Sequence, residues 1–292
     1  MAHVMLFIAH AQTQYTLGTI SSTLNGIADW QRGRGVPNTQ FVTQNPQIKA
    51  MMSSLARAHA TDAIEPVLTN AKAPVTIPLL RLLVSHLLHV KQALCPISSF
   101  RAQQDTAFLL VGFFGFLRRS ELAALRVRNV TLHPADAPSQ SYITVFLRKS
   151  KNDQFGKGVH IFIHGTPNCG INVFQYIQEF LIARSVQGAG PNDFLFCSVS
   201  TRGISPGTQV SSGFLTDRLR ALLGEIHTHF PHLHMNPTIF ACHSLRRGGV
   251  VAAFEAGADV VLLKAHGRWR SDAILVYLSV STTTRLSVTA RI

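Results

Sequence analysis

The chain has 292 residues, 46% of them hydrophobic. That is enough for one large folded domain or two modest ones, and it excludes a disordered chain. Lys and Arg total 27 against 14 Asp and Glu, a formal charge of +13 that points to a polyanionic partner, most often nucleic acid. The sign alone leaves DNA, RNA and a merely basic protein open.

Four cysteines, Cys95, Cys169, Cys197 and Cys242, show no paired metal-ligand spacing and read as reduced, mostly buried thiols of an intracellular protein. The N-terminus lacks a basic segment before its short apolar run, which argues against a signal peptide. The apolar run Ala107 to Leu117 is far below the ~20 residues of a membrane span. No membrane partner is expected.

In chain order, the first 70 residues read as helical. Thr16 to Gly33 carries Leu17, Ile20, Leu24, Ile27 and Trp30 at helical spacing, and Gly33, Gly35 and Pro37 end it. Asn45-Pro46 starts a second helix with Ile48, Met51, Met52 and Leu55 on one side. Thr61 to Pro74 is a polar connector and the predicted boundary between a small helical domain (1–72) and a larger one (73–292). A helix begins near Thr76-Ile77-Pro78. Asp105 then introduces an apolar helix, Ala107 to Leu117, hydrophobic all round and therefore central to the core.

That helix runs into Leu117-Arg118-Arg119-Ser120-Glu121-Leu122. An arginine beside a buried run needs a carboxylate or a ligand, and Glu121 stands three residues after Arg118. Ser141 to Leu147 and Val159 to Ile163 read as paired strands, joined by a Lys-rich loop from Arg148 to Gly158 that includes Lys151. Ile171 to Arg184 is an amphipathic helix, Asp193 to Ser198 a short apolar segment, Thr201 to Gly207 a turn region, and Ser211 to Leu223 a further helix. His227, His229, His232 and His234 follow in a Pro-containing loop whose spacing matches no common zinc arrangement. The fold class is therefore mainly α with a small antiparallel β-sheet.

The stretch from His243 to Tyr277 carries the chemistry. It reads His243-Ser-Leu-Arg246-Arg-Gly-Gly, a small-residue-rich helix, then His266-Gly-Arg-Trp269-Arg-Ser-Asp-Ala and Tyr277. Cationic donors followed by a phenol are what phosphoryl transfer through a covalent intermediate needs. Motifs for other chemistries are missing: there is no phosphate-binding Gly-x-x-x-x-Gly-Lys-Ser/Thr loop, no Gly-x-Ser-x-Gly elbow and no carboxylate set for two metals.

Taken in order, Arg118, Lys151, His243-x-x-Arg246, Trp269 or His266, and Tyr277 resemble the active-site series of the tyrosine recombinase (phage integrase) family. The resemblance runs from about Pro74 to Tyr277, and the earlier helices resemble the end of that family's core-binding domain. Its pattern selects Arg118 over Arg119. The Trp-Arg-Ser-Asp context favours Trp269 over His266, although the spacing to Tyr277 is one residue short. The Ser-Lys-Asn-Asp loop and the Gly-Arg-Trp-Arg-Ser-Asp-Ala segment look similar to recombinases of eukaryotic DIRS-type and Crypton mobile elements, which would imply a nuclear protein.

The resemblance implies a tyrosine-recombinase catalytic fold over 73–292, preceded by a partial core-binding domain over 1–72. It implies a DNA strand transferase in which Tyr277 attacks a phosphodiester and forms a 3′-phosphotyrosine, needing neither metal nor ATP nor any other cofactor. His243 would accept the tyrosine proton, Arg118 and Arg246 would bind the non-bridging oxygens with Trp269 or His266, and Lys151 would protonate the leaving oxygen, with Glu121 orienting Arg118. The partners implied are double-stranded DNA and further copies of the chain, a tetramer on synapsed DNA. The alternatives are a type IB topoisomerase-like enzyme, an inactive DNA-binding remnant of a mobile element, and a basic RNA-binding protein.

Overall fold

The computed structural model describes residues 2–61, 72–92, 95–148, 158–201, 203–269 and 271–278. The chain divides into two compact units, Met1–Ala71 and Lys72–Ile292.

The first unit holds three helices, α1 (Ala2–Ala11), α2 (Leu17–Gly33) and α3 (Pro46–Thr61). Thr16 caps α2 by accepting the Thr19 N–H, and Asn45 caps α3 by accepting the N–H groups of Gln47 and Ile48, so both starts follow from side chains suited to orphan amides. Ile8, Ile20, Leu24, Ala28, Phe41, Val42 and Ile48 form its core. Trp30, expected on the apolar side of α2, is instead exposed, with the Arg34 guanidinium 4.6 Å from its ring centre. Phe41 and Val42, from the connection between α2 and α3, are buried in that core.

The second unit is built around α5 (Pro96–Phe114), against which α4 (Ile77–Lys91), α7 (Val173–Val186) and α9 (Cys242–Glu255) pack. Helix α5 starts eleven residues before the expected Ala107, and it ends at Phe114 rather than Leu117. The polar stretch that hid its first half is buried with partners. Gln104 exchanges two hydrogen bonds with the Cys197 backbone at 2.9 and 3.0 Å, and Asp105 accepts from Arg218 at 2.7 Å. Asp105 thus lies inside the helix and is not its first residue.

Helix α6 (Arg119–Ala124) leads into an antiparallel sheet in the order β1 (Val130–His133), β2 (Tyr142–Leu147), β3 (Val159–His164). The β2–β3 pairing joins Leu147 to Val159 and Tyr142 to His164, as the alternation of apolar residues predicts. The segment expected as a turn region, Thr201 to Gly207, belongs instead to a second hairpin of β4 (Cys197–Ser200) and β5 (Gly203–Gln209). Pro206 falls where the register shifts between Cys197 and Ser198, an irregularity at which a strand tolerates a missing N–H.

Helix α8 (Ser212–His229) runs one and a half turns beyond Leu223 and carries His227 and His229; His232 lies in the next short turn, and His234 is left-handed at φ +44°. Among the described residues no group of three or more His, Cys, Asp or Glu is placed to hold a metal ion. Cys197 and Cys242 are buried, whereas Cys95 is exposed. Among the described residues no helix is long and apolar enough to cross a membrane. The chain continues through α10 (Val260–Gly267) to a 3-10 turn, Asp272–Val276, that ends at Tyr277.

Candidate active site

Four local devices deliver side chains to one cleft of about 620 Å³. The first is the exit from α5. Phe116 adopts φ +48°, a left-handed conformation unusual for a residue with a side chain, and this reverses the chain after Gly115. Arg118 follows in extended backbone as the N-cap of α6, and the Glu121 carboxylate reaches back to it. Glu121 Oε2 accepts the Arg118 backbone N–H at 2.8 Å and Oε1 accepts the Arg118 guanidinium at 2.8 Å. The predicted pairing is present, but it comes from a cap and not from two residues on one helical face. Glu121 is buried, so this is no solvated surface pair.

The second device is the Gly248-Gly249 pair of α9. A Cβ on Gly248 would stand 1.9 Å from the Val75 carbonyl oxygen, and one on Gly249 would stand 2.1 Å from the Phe113 carbonyl oxygen. Only glycine lets α9 approach α5 and the segment before α4 this closely. The approach brings Arg246 under the Phe116 loop. There its guanidinium, 1% exposed, donates to the Phe116 carbonyl through Nη1 and to the Gly267 carbonyl at 2.8 Å through Nη2.

The third device is the end of α10. A Cβ on Gly267 would lie 1.6 Å from the Trp269 ring, so the glycine clears the space in which the indole lies over Arg246, 3.9 Å from guanidinium carbon to ring centre. The fourth is the 3-10 turn. Ser271 caps it, Lys264 holds Asp272 at 2.9 Å, and Ile274 and Leu278 are buried beside Phe116, Val250 and Leu263. The turn directs the Tyr277 hydroxyl to His243 Nε2 at 2.7 Å, and the Tyr277 ring sits 5.6 Å from that of Trp269.

The structure therefore brings together Arg118, His243, Arg246, Trp269 and Tyr277, all of which line the cleft, with Glu121 behind Arg118. His266 does not join them. Its Nε2 donates to the Phe114 carbonyl at 2.8 Å, its ring meets Phe116 edge-on at 4.6 Å, and it lines a separate apolar cavity of about 490 Å³. Lys151 lies outside the described residues, in the connection between β2 and β3.

The electrostatics follow from crowding. Burial, followed by the charges of Arg118 and Arg268, lowers Arg246 to about 10, which leaves it cationic at neutral pH. Desolvation, then Arg246, Arg247 and Arg118, lowers the His243 pKa, so its imidazole is neutral and able to take a proton. Burial also lowers His266. Sequence reasoning missed Lys72 and Arg220 and set Arg119 aside in favour of Arg118. Lys72, Arg119 and Arg220 line the cleft, against Asp217 as the one carboxylate on its described wall. Arg220 is held by the Phe240 carbonyl at 2.9 Å, and Lys72 and Arg220 both reach the Thr238 carbonyl at 3.3 Å. It also missed Arg268, which donates to Glu121 at 2.8 Å. Only a reading of which arginines face Glu121 would have found it.

The guanidinium groups are donors suited to the oxygens of a bound anion, and the imidazole is placed to take a proton from the phenol.

No family model matches the chain. A curated integrase/recombinase, the xerD homolog of Selenomonas ruminantium, is 24% identical over 257 residues, 88% of this chain and 66% of that protein's length. The chain thus spans just under two thirds of the relative it matches. Among solved structures, the XerH site-specific recombinase bound to palindromic difH substrate, a post-cleavage complex, superposes with a TM-score of 0.54 at 15% identity, covering 77% of this chain and 54% of that one. The shared fold is that of a tyrosine-recombinase catalytic domain.

Proposed function

We propose that the chain is a site-specific DNA recombinase or integrase that cuts and rejoins DNA through a 3′-phosphotyrosine. The observation that carries this reading is the 2.7 Å contact of Tyr277 Oη with His243 Nε2 in a cleft walled by Arg118 and Arg246. Tyr277 Oη attacks the scissile phosphorus and its proton passes to His243. A free phenol has a pKa of about 10, so a positioned acceptor is needed at neutral pH. Arg118 and Arg246 donate to the non-bridging oxygens as charge builds there, and the Trp269 indole N–H adds a further donor. The bond from phosphorus to the 5′ oxygen breaks, and that oxygen takes a proton from Lys151, the role its position in the β2–β3 connection implies by resemblance. Attack of a 5′-hydroxyl on the phosphotyrosine reverses the sequence, so the bond energy is conserved without a nucleotide.

Lys72, Arg119 and Arg220 would hold flanking phosphates of double-stranded DNA, in keeping with the +13 charge. The helical unit Met1–Ala71 is read as part of a core-binding domain that adds DNA contacts, and the working form as a tetramer on synapsed DNA. The similar proteins described above lend no support to a DIRS-type or Crypton origin.

Incubation with nicked suicide DNA substrates tests the reading. A covalent protein–DNA band is expected from the wild-type chain and none from Tyr277→Phe, which should still bind DNA. A Phe variant that forms the band would overturn the assignment of Tyr277. Relaxation of a supercoiled plasmid without joining of two sites would move the chain to the topoisomerase alternative.

A further inference from the structure

Arg268 closes α10 in a left-handed conformation, φ +62°, which glycine adopts without strain and arginine does not. Its side chain turns inward and is 7% exposed. Nη2 donates to Glu121 Oε2 at 2.8 Å and to the Phe116 carbonyl at 3.2 Å, and Nη1 donates to the His266 carbonyl at 3.1 Å. The first two acceptors are the groups that hold the cleft arginines. Glu121 binds the guanidinium and backbone N–H of Arg118, and the Phe116 carbonyl binds Nη1 of Arg246. Phe116 is itself left-handed. Two strained residues therefore meet behind the cleft, and strain of this kind persists only where the surroundings hold it in place. Arg268 does not line the cleft itself.

We propose that Arg268 is a positioning residue, which fixes Glu121 and the Phe116 carbonyl and through them sets the spacing and aim of the Arg118 and Arg246 guanidinium groups on a single phosphate. This rests on the reading of the cleft as a phosphodiester site. Arg268 Nη2 serves both acceptors while Nη1 of the same rigid plane holds the His266 carbonyl, a fixed arrangement that the rotatable ammonium of a lysine does not reproduce. Arg118 holds each carboxylate oxygen of Glu121 by one donor, Oε2 by its backbone N–H and Oε1 by its guanidinium; Arg268 adds a second donor to Oε2 and ties that oxygen to the Phe116 carbonyl.

The test uses two nicked DNA substrates, one with an ordinary scissile phosphate and one in which a neutral methyl group replaces a non-bridging oxygen. On the phosphate, Arg268→Lys and Arg268→Ala should slow single-turnover adduct formation roughly 10- to 100-fold. On the neutral substrate, which makes less demand on two aimed cations, the loss should be clearly smaller. An equal loss on both substrates would mean that Arg268 serves folding alone, and no loss on either would detach it from the site; each overturns the proposal. A wild-type chain that forms no adduct overturns the reading of Tyr277, and a second measurement then decides on Arg268. The chain has two tryptophans, so in a Trp30→Phe background Trp269, seated on Arg246, is the only indole and its emission reports orthovanadate binding. Weaker binding in Arg268→Ala supports positioning, and identical titrations, flat ones included, overturn it.

Discussion

Between α4, α5 and α8, Arg218 is bound by two carboxylates, Asp105 at 2.7 Å and Glu225 at 3.1 Å, with His86 on the far side of Glu225 at 3.0 Å. At the cleft the proportion is reversed. Glu121 is the carboxylate bound by Arg118 and Arg268, and among the described residues Arg246 beside them is bound by backbone carbonyls and an indole. Both regions remove arginines from water, and both therefore meet a desolvation penalty. The first offsets it within the protein. The second leaves positive charge in excess, directed at an open cavity. A chain that needed this charge only for stability would have matched it with acids, as it does around Arg218. On the proposed function an outside anion, the DNA phosphate, would complete the balance at the cleft, and none is required at the balanced cluster.

The largest expected effect comes from breaking the unmatched side. Arg246→Ala removes a donor aimed at developing charge and should lower the rate of adduct formation about 10²- to 10³-fold. It also takes the Arg246 donor from the Gly267 carbonyl and leaves the Phe116 carbonyl to Arg268, a stability loss of about 1–3 kcal/mol. Single-turnover kinetics beside a denaturant melt separate the two. Next, Gly267→Ala should drive the Trp269 ring off Arg246, because the new methyl would overlap it. The rate should fall roughly 10- to 100-fold and the Trp269 emission should change, while far-UV dichroism stays that of the wild type.

A pH profile sharpens the same side. The folded pKa of His243 is lowered below 6.5, so the imidazole is protonated, and unable to accept the Tyr277 proton, only below that lowered value. Adduct formation should therefore rise with pH through a midpoint under 6.5 and then level off. His243→Ala should be slow and lack this limb.

The smallest effect on chemistry is expected from the balanced cluster. Burial raises the Asp105 pKa from 3.8 to about 6 despite Arg218. An acid whose pKa is raised on folding binds more protons in the native state, so its contribution to stability falls as pH rises between those two values. Asp105→Asn should abolish this part of the pH dependence, destabilise the chain by about 1–3 kcal/mol through the weakened bond to Arg218, and leave the adduct rate of the folded protein unchanged. A large rate loss would erase the distinction between the two clusters.

The elements that could be read in the sequence are those whose signals are local. Thr16, Thr76, Asn172 and Ser211 cap helices through their own side chains, and the alternation in β2 and β3 sets their pairing. Helix α5 was misjudged because Gln104 and Asp105 look like surface residues until Cys197 and Arg218 are brought to them across the fold. The β4–β5 hairpin was hidden by Gly203, Pro206 and Gly207, which serve an irregular strand as readily as a turn. At the site, the spacing of His243, Arg246, Trp269 and Tyr277 was visible because one continuous stretch carries them. The division of labour between Trp269 and His266 was not, since it depends on Gly267 admitting the indole and on the Phe114 carbonyl claiming the imidazole. Arg268 could not be found at all, for its partner Glu121 lies 147 residues earlier.

The central claim is that the unbalanced cluster activates one phenol against DNA. Its most direct test is to trap the adduct on a nicked substrate, digest the protein, and identify the residue and the DNA end that are joined. The account predicts a peptide linked through Tyr277 to a 3′-phosphate. A linkage to any other residue, or to a 5′ end, would contradict it.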